Sequence, residues 1–172
     1  MKKPMDIEWS KVSELVERNS SPLTMDRKAK LAIEKFLGES WIKETVDYII
    51  GLEPEWLLAV NSLRILESEY AADYAYSIYK KSTDPDDARL AVGVIKDIAH
   101  PKSIEWIKEF IEDDMVADVG LGVLDQLLWC EKIESSPKTE KLLDLATKKW
   151  SEMSETVSFI RGYLENRKTI MK

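Results

Sequence analysis

Apolar residues recur along most of the chain at spacings of three and four, the period at which side chains share one face of an α-helix. Strict alternation of apolar and polar residues, which is typical of a half-buried strand, does not extend over a strand length. Short breaks containing Pro, Ser or Gly separate the periodic segments. The pattern therefore predicts an all-helical protein, with helices at approximately 9–19, 25–37, 40–50, 54–67, 69–81, 85–99, 102–112, 115–130, 138–149 and 152–166.

The best-marked helix start is Asp84-Pro85-Asp86-Asp87. Asp84 is suited to accept hydrogen bonds from the first turn, and Pro85 fits the first helical position, where no amide hydrogen is needed. Asp86 and Asp87 place negative charge at the positive end of the helix dipole. We expect a helix to begin at Pro85.

Four predicted helices share one pattern: an aliphatic residue, a small residue, an aliphatic residue, two variable positions and a large apolar residue. The pattern occupies residues 31–36, 58–63, 90–95 and 119–124, and its starts are 27, 32 and 29 residues apart. A second helix follows each copy, and a period of this length indicates stacked helical hairpins. We expect the small residues to let neighbouring helices approach closely; they are Ala32, Ala59, Ala91 and Gly120. The alternative is chance agreement among amphipathic helices.

Residues 84–114 resemble the bacterial HEAT-like helical repeat of the PBS-lyase type. The resemblance rests on Asp84-Pro85, on Arg89 beside an aliphatic residue, on a spaced apolar series interrupted by Pro101, and on the acidic end at Asp113. It also covers 54–81 and 114–149 in part, and 25–50 weakly. Asp118 departs from the pattern, because it stands where the repeat has its arginine.

The resemblance implies one domain over residues 1–172, folded as a right-handed α-solenoid of about four antiparallel hairpins. The hairpins are expected at about 25–50, 54–81, 85–112 and 115–149. Capping helices are expected at about 9–19 and 152–166.

The chain is acidic: 32 Asp and Glu outnumber 25 Lys and Arg, for a net charge of -7. Nucleic-acid binding draws much of its affinity from basic residues on phosphates, so this balance argues against it. A basic protein partner is a better match. The composition by itself does not set the oligomeric state.

Cysteine usage and apolar runs bear on location. Cys130 is the only cysteine, which excludes an intramolecular disulfide. The N-terminal stretch lacks the apolar region of a signal peptide, and no apolar run approaches the roughly 20 residues of a membrane-spanning helix. We expect a cytoplasmic protein with no membrane association.

Candidate chemistry is sparse. His100 is the sole histidine and ends a helix, and Cys130 has no second thiol beside it, so neither has partners for catalysis or zinc binding. The acidic clusters at 84–87 and 112–114 lack the spacing of a calcium loop and are explained by helix capping. No phosphate loop or nucleophile elbow is present. We expect no enzymatic activity, no cofactor and no metal, although a carboxylate site assembled from distant segments stays open.

The second helices of the two central hairpins are predicted to expose an acidic face. In 69–81 the core side is expected to hold Ala71, Tyr74, Ala75 and Ile78, and in 102–112 it is expected to hold Ile104, Ile107 and Ile111. The opposite faces are either an ordinary solvated surface or part of a binding groove with an aromatic anchor. The predicted partner-binding residues are Glu69, Asp73, Tyr76, Glu105, Glu109 and Glu112.

HEAT-like repeats occur in proteins with different tasks, so the resemblance alone does not fix a function. The leading hypothesis is a protein-binding module without catalytic activity, most sharply a bacterial immunity protein that neutralises a cationic toxin such as a nuclease. A general scaffold or regulatory adaptor is the alternative. The resemblance also suggests a DNA glycosylase or a lyase, which the acidic charge and the lack of catalytic residues disfavour.

Overall fold

The computed structural model describes residues 25–170, and every regular element in that range is helical. The predicted capping helix at 9–19 lies outside the described residues. The α-helices are α1 (Met25–Leu37), α2 (Glu39–Ile50), α3 (Trp56–Leu66), α4 (Glu69–Lys81), α5 (Pro85–Ile98), α6 (Ile107–Glu112), α7 (Ala117–Trp129), α8 (Pro137–Lys149) and α9 (Ser154–Ile170). Short 3-10 helices at Pro101–Glu105 and Ser151–Met153 precede α6 and α9. The all-helical prediction is confirmed for this part of the chain.

Helix α5 begins as its sequence predicts. The Asp84 side chain accepts hydrogen bonds from the backbone amides of Asp86, at 2.8 Å, and Asp87, with Pro85 at the first helical position. Ser68 caps α4 in the same way by accepting from the amide of Ala71 at 2.9 Å. Local side-chain chemistry therefore sets both starts.

The single helix predicted at 102–112 is wrong, because the segment is divided. Its first part is a 3-10 helix in which the amide of Ser103 donates to the carbonyl of His100 and the amide of Trp106 donates to that of Ser103. These bonds span three residues and wind the chain more tightly than an α-helix. Only from Ile107 does the chain continue as α-helix.

Alternate helices contact one another along the described chain. In the odd-numbered series, α1 packs against α3, α3 against α5 and α5 against α7; in the even-numbered series, α2 packs against α4 and α6 against α8. Consecutive helices also pack, most extensively α4 against α5 and α6 against α7. Helix α5 lies at the centre, since it contacts α2, α3, α4 and α7.

The repeat pattern describes the core well in its last three copies. The small residues Ala59, Ala91 and Gly120 are buried, and so are the large apolar residues at the sixth position, among them Leu63 and Ile95. Gly120, on α7, lies against Phe110 of the preceding helix α6. Burial of the small position, which its expected packing role requires, is confirmed for these three copies.

The first copy departs from the expectation. Ala32 is exposed, Leu31 is more than half exposed, and the side chain of Phe36 is 85% exposed. Leu58, at the first position of the second copy, is also exposed. Helix α1 packs mainly on α2 and α3, so its other side is left uncovered by the described residues.

Arg89 and Asp118 explain one departure from the repeat pattern. The two residues hold equivalent positions in successive copies, and their side chains form a two-bond ion pair, with Nη1–Oδ1 at 2.7 Å and Nη2–Oδ2 at 2.6 Å. Arg89 also donates to the carbonyl of Met115 at 3.1 Å. Asp118, which stands where the repeat pattern has an arginine, thus forms an ion pair with Arg89 of the preceding copy.

Candidate protein-binding surface

The predicted acidic residues lie on α4 and on the segment that continues through the 3-10 helix into α6. We call Glu69, Asp73, Tyr76, Glu105, Glu109 and Glu112 the acidic stripe. Three of its acidic residues, Glu69, Glu105 and Glu112, are exposed, whereas Asp73 and Glu109 are half-buried. The acidic side chains of the stripe therefore differ in their exposure to solvent.

Tyr76 is not the free aromatic anchor that the sequence suggested. It is half-buried, and its ring stacks on that of Trp106 with a centroid distance of 4.4 Å and an interplanar angle of 8°. Tyr79 and Phe110 extend this aromatic cluster, with edge-to-face packing at 5.0 Å between their rings. The core side predicted for α4 is wrong in part, because Tyr74 and Ile78 are only half-buried whereas Tyr79 is buried; Tyr76 therefore borders the core instead of lying opposite it.

Glu109 is held by two donors from α4. The Tyr76 hydroxyl donates to its Oε2 at 2.6 Å, and Lys80 donates to its Oε1. Partial burial opposes ionisation of Glu109, but the hydrogen bonds from Lys80 and Tyr76 outweigh it and lower the pKa of this carboxyl. Burial and the bond to Glu109 raise the pKa of Tyr76 to about 12. The carboxylate is therefore charged and the phenol neutral near pH 7.

At the other end of the stripe, one lysine pairs with two carboxylates. Lys102 pairs with Glu69 at 3.0 Å and with Asp73 at 2.8 Å. Its hydrogen bond and charge lower the pKa of Glu69. His100 Nε2 lies 3.9 Å from the Glu69 carboxylate. Glu69 and Asp73, which were predicted to bind a partner, are thus paired with Lys102 within the fold.

A surface cleft of about 380 Å³ opens where α4 and α6 end. It is lined by Tyr79, Lys80, Ser82, Glu109, Glu112, Asp113 and Met115, which we call the acidic cleft. Three carboxylates and one lysine face this space. Only Glu109 and Glu112 belong to the predicted stripe.

Tyr79 and Asp113 are two of the five cleft residues that sequence reasoning did not assign to the binding surface. The Tyr79 hydroxyl donates to Asp113 Oδ2 at 2.8 Å, and the amide of Met115 donates to Asp113 Oδ1 at 2.9 Å. Burial, followed by the bond to Asp113, raises the pKa of Tyr79. Tyr79 follows Tyr76 by three residues, so the two side chains are neighbours on the helix surface. This spacing could have added Tyr79 to the predicted binding residues.

Glu105 and Glu112 carry the exposed negative charge of the stripe that has no close basic partner among the described residues. Glu105 makes no side-chain hydrogen bond or ion pair within residues 25–170, and Glu112 has only a 3.9 Å pair with Lys108, itself exposed. By contrast, Lys102 and Lys80 hold Glu69, Asp73 and Glu109. The exposed charge of the stripe is therefore concentrated on its α6 side.

The residues considered for chemistry are dispersed. Cys130 is exposed and receives a contact from Gln126 Nε2 at 3.1 Å, while the Nδ1 atom of His100 accepts from the amide of Lys102. Across the described range, no group of three or more His, Cys, Asp or Glu residues is arranged to hold a metal ion. None of the helices in this range is both long enough and apolar enough to cross a membrane.

Comparisons with protein-family models, with curated proteins and with solved structures found no match. The resemblance to the HEAT-like repeat therefore rests on the residues of the repeat alone.

Proposed function

We propose that this chain is a protein-binding module whose acidic cleft receives a basic segment of a partner protein. The observation that carries the proposal is the convergence of Glu109, Glu112 and Asp113 on one cleft that contains a single lysine, Lys80. The aromatic cluster behind the cleft fixes Glu109 through Tyr76 and Asp113 through Tyr79. Rigid carboxylates bind a cationic group with less loss of side-chain entropy than mobile ones.

The ion pair between Lys80 and Glu109 shows how a basic residue of a partner would bind in the cleft. The Lys80 ammonium group pairs with Glu109 at the edge of the cleft and is itself exposed. A lysine or arginine of the partner could take its place on Glu109 while the Tyr76 hydroxyl keeps the carboxylate in position. Exposed Glu105 and Glu112 add long-range attraction, which accelerates association more than it strengthens the final complex.

We also propose a HEAT-like α-solenoid in the cytoplasm as the setting for this surface. The regular repeat and the contacts between alternate helices support the solenoid, and a single exposed cysteine suits a reducing compartment. The sharpest form of the hypothesis is a bacterial immunity protein that neutralises a cationic toxin such as a nuclease. A scaffold or regulatory adaptor is the second form. Net charge disfavours a HEAT-like DNA glycosylase.

The test compares two double variants with equal changes in net charge. Glu105→Lys with Glu112→Lys reverses one exposed charge that lines the cleft, Glu112, and one exposed charge elsewhere on the acidic stripe, Glu105. Glu134→Lys with Glu165→Lys reverses two exposed charges elsewhere, on the α7–α8 connection and on α9. Each protein is immobilised and used to capture partners from a lysate at low salt.

We expect the wild type and the Glu134/Glu165 variant to capture a basic protein that the Glu105/Glu112 variant captures poorly. The rate at which the wild type associates with this basic protein should fall as salt is raised, because the Debye length shrinks to about 8 Å at physiological ionic strength. If the captured protein is a toxin, the wild type should inhibit its activity. Equal capture by all three proteins, or an acidic partner, would place the binding surface elsewhere.

A further inference from the structure

Three aromatic side chains form a continuous row on the surface, where the end of α7 lies beside α9. We call Trp129, Tyr163 and Phe159 the C-terminal aromatic row. The rings of Trp129 and Tyr163 pack edge to face with a centroid distance of 5.1 Å, and those of Tyr163 and Phe159 do so at 5.8 Å. The two outer members are open to solvent, since Trp129 is 53% exposed and Phe159 is 64% exposed. Exposed aromatic side chains in mutual contact, unlike scattered apolar residues, indicate a surface that binds another molecule.

The fold holds the row in place. Arg167 on α9 lies over the rings of Trp129 and Tyr163, at 5.4 and 5.3 Å from their centroids. Its guanidinium group also donates to the carbonyls of Leu128, at 2.9 Å, and Trp129, at 2.8 Å. The Tyr163 hydroxyl donates to Asp125 Oδ1 at 2.9 Å. A ligand therefore meets rings whose positions are already fixed, which reduces the entropy lost on binding.

Gly162 leaves the helix backbone bare beside Phe159, which precedes it by three residues on α9. A Cβ atom added to Gly162 would meet no atom within 4 Å, so packing within the described fold does not require a glycine there. A glycine inside a helix costs about 1 kcal/mol relative to alanine. Gly93 has the same free space, but its helix α5 exposes no large apolar side chain. At Gly162 the missing side chain lets a bound molecule approach the backbone next to an exposed ring.

The charges beside the row select the kind of partner. Glu155 stands four residues before Phe159 on the same side of α9, and Glu131, beside Trp129, lies 3.7 Å from Arg167; both acids are exposed. Arg167 is half-buried, and the described side chains of α9 include no exposed lysine or arginine. A second copy of the chain would bring like charges together, which opposes self-association. Charge complementarity favours a partner with basic residues.

We propose that the C-terminal aromatic row binds a segment of another protein in which an apolar or aromatic side chain is flanked by lysine or arginine. The apolar side chain packs on Phe159 over the bare backbone at Gly162, and the basic residue pairs with Glu155. None of these residues lines the acidic cleft. Either proposal can therefore fail without the other.

Peptide selection on the full chain tests the proposal. A random peptide library is selected in parallel on the wild type, on Phe159→Asp and on Phe36→Asp. The last is the matched control, because Phe36 is also an exposed phenylalanine, 85% exposed, but lies on α1. We expect the wild type and the Phe36→Asp variant to enrich peptides with an apolar or aromatic residue beside lysine or arginine. The Phe159→Asp variant should not enrich these peptides.

Synthetic peptides of the enriched sequences then locate the site. Their affinity, measured by fluorescence anisotropy, should fall about tenfold or more for Phe159→Ala, because a central aromatic contact is lost. Gly162→Leu should weaken binding by a similar factor, since the added side chain fills the space above the backbone. Gly93→Leu adds the same side chain on α5 and should leave the affinity unchanged. Thermal unfolding verifies that each variant is folded.

Three results would overturn the proposal. Enrichment of acidic peptides on the wild type, or of none, would exclude a basic apolar segment as the ligand. Equal affinity of the enriched peptides for the wild type and Phe159→Ala would place their binding site elsewhere. A wild type that dimerises in analytical ultracentrifugation while Phe159→Asp stays monomeric would assign the row to a second copy of the chain.

Discussion

Gly120 lies directly against Phe110, where no side chain can be accommodated. A Cβ atom added to Gly120 would sit 2.4 Å from Phe110 Cβ and 3.2 Å from its carbonyl carbon. Gly120 belongs to α7 and Phe110 to α6, and both are buried. The absence of a side chain is therefore what allows these two helices to approach so closely.

Replacing Gly120 with Ala should destabilise the protein despite the better helix propensity of alanine. The added methyl group meets the backbone as well as the side chain of Phe110, so the helices must separate, at a cost of about 1–3 kcal/mol. The matched control is Gly93→Ala in α5, where an added Cβ meets no atom within 4 Å. That change should stabilise by about 0.5–1 kcal/mol. Urea unfolding of both variants measures the difference, and equal effects would contradict the close approach.

The same small position in two copies of the repeat should respond differently to enlargement. Ala91 is fully buried in α5, so Ala91→Phe should overpack the core and cost about 1–3 kcal/mol or more. Ala32 is exposed on α1, so Ala32→Phe should change the free energy of unfolding by less than about 0.5 kcal/mol. Thermal unfolding of the two variants tests this contrast. A large effect of Ala32→Phe would mean that residue 32 is covered in solution.

Two substitutions at Tyr76 should separate packing from hydrogen bonding. Tyr76→Phe keeps the stack on Trp106 but removes the donor to Glu109, and should cost about 1 kcal/mol. Tyr76→Ala also removes the half-buried ring, and should cost about 2–4 kcal/mol. The free energies of unfolding give both values. If the two variants unfold alike, the stack contributes nothing.

This contrast also governs how binding is measured. A loss of partner binding in Tyr76→Ala would combine damage to the aromatic cluster with any loss of contact. Tyr76→Phe leaves the cluster in place, and its effect on binding reports on the position of the Glu109 carboxylate.

His100 should make the protein less stable as the pH falls below about 6.5. Burial lowers the pKa of His100 from its usual 6.5, against the opposing influence of Glu69 and Glu67. His100 then binds a proton in the unfolded chain at a pH where it stays neutral in the folded chain. The contribution of His100 to the free energy of unfolding is therefore complete above about pH 6.5 and is lost as the pH falls through the folded pKa. Protonation would also remove the Nδ1 acceptor for the amide of Lys102.

Urea unfolding at about pH 7.5 and about pH 5 measures this contribution. His100→Gln, which has no titratable side chain, should show a smaller loss of stability between the two conditions than the wild type. The lowered pKa values of Glu69 and Glu109 act at lower pH, since their ordinary value is 4.5. An identical loss in the variant would show that His100 is not responsible.

The sequence determined the helices because their signals are local. The apolar period, the Asp84 cap and the proline at 85 act over a few residues, and the bounds of α1 and α4 agree with those predicted. Periodicity also identified Ala91 and Gly120 as positions facing other helices. It failed for the first copy of the repeat because burial depends on a neighbouring element, and the described helices leave one side of α1 uncovered.

Only the tertiary structure decided what the acidic residues face. Lys102 on Glu69 and Asp73, and Tyr76 and Lys80 on Glu109, are partners about 30 residues distant in sequence, so no local pattern could assign them. Helical period predicts the side of a helix on which a residue lies, but it cannot say whether another helix covers that side. The acidic cleft likewise exists because α4 and α6 end beside each other, which is a consequence of packing rather than of local sequence.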